Sequence, residues 1–301
     1  MGVLRNTFSS LHALFLSEKV KEKGEDVILY IAIVSFLLHL LMILVNKFQL
    51  FGFHSDSDLL NSPIAAVYTP FSFILIYEVY LLVYYLPHSM STYIGKQYEI
   101  ITLIIIRRIF KDLANLELSS DWFSISGDLQ FTYDIVASLL LFLLILFFNR
   151  LRSISAAITG SGKITSSLQR FIDIKKGIAS VLVPVLLLLA VYRVGAWALD
   201  TAYGLGISQG SLKDINNIFF DEFFTILILV DVVLLLFSFI HTDKFHKVIR
   251  NSGFIISTIL IRLSFGVEGL INTLLIVTAV LFGVLLLLIH NYFEKSAKLE
   301  A

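Results

Sequence analysis

The sequence predicts an all-α integral membrane protein with about eight transmembrane helices, arranged as two similar four-helix units in parallel orientation. Hydrophobic residues make up 57% of the 301 residues and charged residues only 15%, whereas a soluble domain is about half apolar and about a quarter charged. The mean hydropathy is correspondingly high, at +0.86. An internal repeat and the placement of basic residues predict the two units and their orientation.

The charge balance and the residue types exclude several functional classes. Lys and Arg together number 23, as do Asp and Glu, so the chain is not a globally basic nucleic-acid binder. The absence of cysteine excludes disulfides, thiolate metal sites and a cysteine nucleophile. The sequence has no recognisable Ser-His-Asp set, HExxH motif or pair of carboxylates at a water-accessible depth. We therefore expect no enzyme activity, no cofactor and no metal site.

Six apolar segments are long enough to cross a membrane, since a helix needs about 20 residues to span about 30 Å of hydrocarbon. They comprise residues 27–46, 66–86, 131–149, 178–199, 217–240 and 270–290. Two further segments, 98–113 and 253–265, are shorter and contain arginine. By length alone, each of these two could cross the membrane, lie at its surface or re-enter from one side.

The distribution of basic residues favours crossing by both short segments, because cytoplasmic loops collect Lys and Arg. If both cross and the N-terminus is cytoplasmic, sixteen of the 23 basic residues lie on the cytoplasmic side. The outer loops then hold only Lys47, Lys111 and Lys213. If 98–113 did not cross, the six basic residues of the loop 150–176 would move outside. The sequence therefore predicts eight spans with both termini cytoplasmic.

This topology divides the chain into five parts. Residues 1–25 are predicted to form an amphipathic N-terminal helix on the membrane surface, with a solvated tail as the alternative. The apolar residues that recur there at helical spacing are Leu4, Phe8, Leu11 and Phe15. The remaining parts are a first four-helix unit (26–152), a cytoplasmic linker (153–175), a second four-helix unit (176–293) and a cytoplasmic tail (294–301).

The two units resemble each other in sequence. The string EIITLIIIRRIF contains Arg107, the string FIISTILIRLSF contains Arg262, and six of their twelve positions are identical. Upstream, YEVYLLVY and VDVVLLLF pair Glu78 with Asp231. The carboxylate and the arginine are 29 residues apart in the first unit and 31 in the second. Because each unit has an even number of spans, we expect a pseudo-symmetry axis along the membrane normal.

A four-span unit of this kind resembles the bacterial phosphate-starvation-inducible PsiE family. The resemblance rests on the Tyr-Glu-Val turn at Glu78, a short loop and a following helix that carries Arg107, and in the second unit Asp231 replaces the glutamate. It covers about residues 66–115 and 219–268. It implies a tandem version of that family in the bacterial cytoplasmic (inner) membrane.

Charged residues within the predicted spans form the candidate site. They are Glu78, Arg107, Arg108, Arg193, Asp231 and Arg262. An isolated charge at mid-bilayer costs at least about 2.5–3.5 kcal/mol, so such residues usually have partners. At about 1.5 Å of rise per residue, each carboxylate reaches the depth of the arginine in its own unit, which makes a salt bridge feasible in both. Arg108 and Arg193 lie nearer the outer ends.

Two interpretations of these charges are open. In the first, the protein is a small-ion channel or transporter, and the Glu78–Arg107 and Asp231–Arg262 pairs line or gate a polar path for a small inorganic ion. In the second, it is a non-conducting sensor, stress-response or scaffold protein, and the pairs lock helices together. In both, the lipid bilayer is the principal partner, a homo-oligomer is compatible with the sequence, and no nucleic acid is expected.

Overall fold

The structure is a computed structural model that describes residues 13–49, 63–113, 126–159, 166–203, 212–241, 244–267 and 269–299. Every regular element in these ranges is helical, which confirms the predicted all-α class. The helices are α1 (Glu18–Lys47), α2 (Tyr68–Tyr85), α3 (Met90–Leu113), α4 (Ser126–Thr159), α5 (Ser166–Tyr203), α6 (Leu212–His241), α7 (Phe245–Ser264) and α8 (Leu270–Leu299). A short 3₁₀ turn, Pro63–Val67, precedes α2.

Four helical segments are long and apolar enough to cross a membrane. They are Ala13–Lys47, Asp128–Ile158, Glu222–Ile240 and Leu270–Ala297. Helix α2 contributes a shorter apolar stretch, Thr69–Tyr85. The helices α1 to α8 overlap the eight predicted spans one by one. The length and composition of these four segments are thus those of a membrane protein.

Helix α3 is longer than the sequence predicts. The predicted span begins at residue 98, but α3 begins at Met90 and has 24 residues, which corresponds to about 36 Å. Ser89 caps its start, since the Ser89 hydroxyl accepts a hydrogen bond from the backbone N–H of Thr92 at 3.3 Å. Tyr93, in the first helical turns, is fully buried. Packing against neighbouring helices therefore stabilises a helical stretch whose sequence is too polar to be recognised as part of a span.

The helices of each predicted unit pack in sequence order, α1 on α2, α2 on α3 and α3 on α4, and likewise from α5 to α8. Contacts between the units join α3 to α7, α4 to α8 and α2 to α5. The α4–α8 contact is long, because both helices exceed 29 residues and their polar groups meet near both ends. The two halves of the chain thus share one buried interface.

Large apolar side chains cover the outside of the helices. Leu37, Leu38 and Leu41 on α1 are more than half exposed, and so are Leu139 and Leu146 on α4. In water, an apolar surface of this extent would favour aggregation, whereas in hydrocarbon it is the expected exterior. The surface therefore agrees with the membrane class that the composition indicates.

The interface between the units is closed by aromatic packing around Tyr98 on α3. The Tyr98 ring packs edge-on against Phe148 of α4, with centroids 5.1 Å apart, and its hydroxyl lies 2.7 Å from the Ser257 hydroxyl on α7. On α8, a Cβ atom at Gly283 would lie 1.9 Å from the Tyr98 hydroxyl. Glycine at this position therefore permits the close approach of α8 to α3.

The described part of the N-terminal segment packs on α2. Residues 1–12 of the predicted surface helix lie outside the described residues, and α1 runs from Glu18 through residue 25 without a break. The Tyr80 hydroxyl donates to the Phe15 carbonyl at 2.9 Å, and the Tyr77 hydroxyl donates to the Lys21 carbonyl at 3.2 Å. Tyrosines of α2 therefore hold the chain that leads into the first predicted span.

Candidate functional site

The first predicted ion pair joins α2 to α3. Arg107 Nη2 lies 3.1 Å from Glu78 Oε2, and Arg107 Nη1 donates to the Phe71 carbonyl at 3.0 Å. The Glu78 side chain is 6% exposed and that of Arg107 is 12% exposed. All of these contacts lie within the first unit, so this pair holds α2 against α3.

The second predicted ion pair joins α6 to α7 and also reaches the first unit. Arg262 Nη1 lies 2.8 Å from Asp231 Oδ2, and Asp231 Oδ1 accepts a hydrogen bond from the Tyr93 hydroxyl at 2.8 Å. Arg262 Nη2 donates to Gln97 Oε1 at 3.2 Å. We call these four residues the central network; the exposed fraction of each is at most 6%.

Tyr93 and Gln97 were not predicted as site residues. They lie near the start of α3, in the stretch that the sequence predicts to connect two spans. The available signal is their spacing, since residues i and i+4 share one face of a helix. That signal is useful only once the helix is known to begin at Met90. The central network therefore depends on the early start of α3.

Arg108 lies in a separate group near the opposite end of α3, the outer cluster. Its Nη2 donates to Asp134 Oδ1 at 2.6 Å, its Nε also donates to the Asp134 carboxylate, and its Nη1 donates to Asn272 Oδ1 at 2.7 Å. Asp134 further accepts hydrogen bonds from Gln130 and Thr273. The outer cluster thus ties α3 and α4 to the start of α8, which the sequence did not indicate.

The six predicted site residues therefore do not converge on one place. The first ion pair, the second ion pair and Arg108 lie in three groups, and Arg107 is ten residues, or about 15 Å along α3, from Gln97. The backbone of Arg193 lies in α5, but its side chain is outside the described part of the chain.

A buried lysine adjoins the central network at the end of the molecule that is predicted to be cytoplasmic, here called the inner end. The Lys175 ammonium donates to the His88 carbonyl at 2.6 Å and lies over the rings of Phe171 and Tyr93. Burial lowers the pKa of Lys175 to about 8, and the nearby Asp231 carboxylate opposes this shift. Lys175 belongs to the predicted linker and was not predicted as a site residue.

An open cavity of about 860 Å³, the inner cavity, lies at the same end between the start of α3, the end of α4 and the start of α7. Lys96, Arg152 and Arg250 line it. Arg250 donates to the Asn251 side chain and approaches His290 Nε2 at 2.9 Å. Burial lowers the pKa of Arg250 to about 10, although the Glu294 carboxylate acts in the opposite direction. The inner cavity contains residues of both units.

Among the described residues, no three or more His, Cys, Asp or Glu side chains are grouped so as to hold a metal ion. The chemistry of the described groups is that of ion pairs, amides and hydroxyls. Compared with known proteins, the chain matches no family model, no curated protein and no solved structure.

Proposed function

We propose that this chain is a non-conducting, multi-pass membrane protein that acts as a sensor or scaffold, and that its intramembrane ion pairs lock helices together. The observation that carries the proposal is the central network. Asp231 binds Arg262 at 2.8 Å and Tyr93 at 2.8 Å, so a residue from each unit already occupies its two oxygens. The Arg262 guanidinium compensates the charge of this carboxylate, so Asp231 attracts a passing cation less strongly than an unpaired carboxylate would.

The network is suited to coupling the two units. Buried ion pairs and hydrogen bonds across an interface favour the arrangement of helices that forms them. Here α3 of the first unit contributes Tyr93 and Gln97, and the second unit contributes the ion pair. A displacement of α3 along its axis would break these bonds, so a change at one end of α3 would alter how the units pack.

The architecture that we propose is eight spans in two parallel four-helix units. The α3–α7 and α4–α8 contacts join equivalent helices, as expected for units related by an axis along the membrane normal. The basic residues place both termini in the cytoplasm on the positive-inside rule. Together with the resemblance to the PsiE family, this distribution supports a location in the bacterial cytoplasmic membrane.

Ion flux into liposomes tests the proposed function. We expect no flux of protons, potassium, chloride or phosphate above that of empty liposomes, under a concentration gradient or an applied voltage. The charge-neutral double variant Glu78→Gln/Arg107→Gln should fold and behave like the wild type. Flux through the wild type above that of empty liposomes would refute the proposal, and its loss in the folded double variant would show that the Glu78–Arg107 pair carries it.

A small-ion channel or transporter is the second candidate, and one observation favours it. Gln97 Nε2 and Gln130 Oε1 are buried and make no hydrogen bond to the described residues. Gln97 lies in the central network and Gln130 beside the outer cluster, so water or an ion that satisfied both groups would pass along α3 from one to the other. On this alternative, Gln130→Leu lowers flux in folded protein, whereas on the structural interpretation there is no flux to lower.

A further inference from the structure

The inner cavity combines three cations, and the described residues that line it include no carboxylate. Lys96 comes from α3, Arg152 from α4 and Arg250 from α7. The nearest acidic group on α3 is Glu99, which pairs with Lys96 at 2.6 Å and also accepts a hydrogen bond from Asn149. Lys96 is therefore partly neutralised and Arg250 is influenced by the Glu294 carboxylate, while the residues that line the cavity themselves carry three positive charges.

Arg152 has unused capacity to donate hydrogen bonds. Its Nη1 is buried and makes no hydrogen bond to the described residues. The absence of a side chain at Gly95 leaves room for this guanidinium, since a Cβ there would lie 3.3 Å from Arg152 Nη1. Arg152 also lines the cavity, so a small rotation of its guanidinium would turn this donor toward an anion held there.

Hydroxyl groups and the start of α3 add polar groups to the lining, although the Ser89 and Ser153 hydroxyls donate to Thr92 Oγ1 and to the Asn149 carbonyl. Ser89, Ser91 and Thr92 line the cavity from the first turn of α3, and Ser153 and Ser155 line it from α4. Ser89 already accepts hydrogen bonds from the N–H groups of Thr92 and Tyr93, so the start of α3 acts on an anion mainly through the partial positive charge of a helix N-terminus. Cations, hydroxyls and a helix start on different elements thus converge on one cavity that holds Arg152.

We propose that the inner cavity binds a phosphate group, carried either by a free phosphate compound or by the head group of an anionic lipid. Arginine binds phosphate through two parallel N–H groups, and serine and threonine hydroxyls complement the remaining oxygens. The volume of about 860 Å³ falls within the range of about 300–1,000 Å³ that is typical of small-molecule sites. The cavity therefore has room for a phosphate group together with the compound or lipid head group that carries it.

The cavity is connected to the central network through α3. Thr92 and Lys96 line the cavity, and each is followed directly by a network residue, Tyr93 and Gln97. Binding that shifts or stabilises the first turns of α3 would therefore be felt at Asp231. This consequence rests on the proposed sensor function, whereas the binding itself does not.

Binding is measured on the purified full-length protein in two arms. In detergent, calorimetry compares sodium phosphate and pyrophosphate with sodium chloride at equal ionic strength. In nanodiscs of phosphatidylcholine, with or without phosphatidylglycerol, native mass spectrometry identifies lipid that stays bound. Phosphate binding in detergent indicates that the ligand is a free phosphate compound. Retention of phosphatidylglycerol, together with no phosphate binding in detergent, indicates a lipid head group.

Arg152→Gln tests the site, and Arg150→Gln is the matched control, because Arg150 is exposed two residues away and the change in charge is the same. We expect Arg152→Gln to weaken binding at least about tenfold and Arg150→Gln to leave it within about twofold. Equal effects of the two variants, or no binding of either probe to the wild type, would overturn the proposal.

If Arg152→Gln does not fold, two substitutions on α3 replace it. Lys96→Gln removes a cation and should weaken binding, and Glu99→Gln releases Lys96 from its partner and should strengthen it. Unchanged binding in both would overturn the site. A protein that binds phosphate but conducts ions refutes the proposed function and leaves the site intact. A protein that neither conducts nor binds refutes the site alone.

Discussion

Replacing Gly283 by alanine should destabilise the interface between the two units. The new Cβ would lie 1.9 Å from Tyr98 Oη and 2.9 Å from Cζ, against an ordinary contact of about 3.5–4.0 Å. The Tyr98 hydroxyl cannot simply rotate away, because it bonds Ser257, whose hydroxyl in turn donates to the Ala279 carbonyl at 2.6 Å. The clash must therefore move the ring or the helix.

The magnitude follows from three contributions. Overpacking costs about 1–3 kcal/mol, and loss of the Tyr98–Ser257 hydrogen bond costs about 0.5–1.5 kcal/mol. The higher helix propensity of alanine returns about 1 kcal/mol. The free energy of unfolding should therefore fall by roughly 0.5–3.5 kcal/mol.

Gly253→Ala on α7 is the matched control. Its Cβ would also lie 1.9 Å from a neighbouring atom, but that atom is Leu286 Cδ1, at the end of a flexible side chain. A rotamer change relieves this contact, so the loss should stay within about 1 kcal/mol. Both variants can be compared by denaturant titration in detergent micelles with helicity as the readout.

A second substitution tests the cause. Tyr98→Phe removes the closest atom, so it should be less harmful in the Gly283→Ala background than in the wild type, with a coupling of about 1 kcal/mol. Equal destabilisation by Gly283→Ala and Gly253→Ala, together with no coupling to Tyr98, would refute the close approach of α8 to α3.

Three further predictions concern buried charges. Asp231→Asn should destabilise the fold by about 3–5 kcal/mol, because it leaves the Arg262 guanidinium buried without a counter-charge. Adding Arg262→Met should restore most of this loss of stability. Denaturant titration of the single and double variants measures both effects, and additive losses would contradict the pairing. Burial depresses the pKa of Lys175 from 10.5 to about 8. Between these pH values the unfolded chain binds more protons than the folded chain, so the free energy of unfolding rises with pH across this window. Thermal unfolding from pH 7 to 10.5 should show this rise in the wild type and its loss in Lys175→Met. Arg108→Gln should cost about 2–3 kcal/mol by removing the charged donor from buried Asp134, and thermal unfolding with no change would exclude the outer cluster as a stabilising contact.

The sequence was sufficient to predict the all-α class and the pairing of charges within the predicted spans. The apolar runs are long enough to identify helices, and the matched positions of Glu78 with Asp231 and of Arg107 with Arg262 indicated which charges would meet. Both pairs form in the structure. These contacts link helices adjacent in sequence, where a short turn limits the arrangements that the chain can adopt.

Contacts between the units could not be predicted in the same way. The bonds from Tyr93 to Asp231 and from Arg108 to Asn272 join residues more than 130 positions apart, and their geometry depends on how eight helices pack. The inner cavity likewise assembles from three helices, so the nearness of Lys96, Arg152 and Arg250 is not visible along the chain. The requirement for a residue without a side chain at position 283 likewise arises because Tyr98 of α3 packs against it.

The most direct test of the architecture uses single cysteines, since the chain contains none. Leu113→Cys and Val267→Cys lie at exposed positions at the end of α3 and just beyond α7, and Ser153→Cys and Phe245→Cys are exposed at the inner end. Eight spans in parallel units predict that a membrane-impermeant maleimide labels the first two in intact bacterial cells, and the last two only after permeabilisation. Labelling of Ser153→Cys in intact cells, or of Leu113→Cys and Val267→Cys from opposite sides, would contradict the two-unit arrangement.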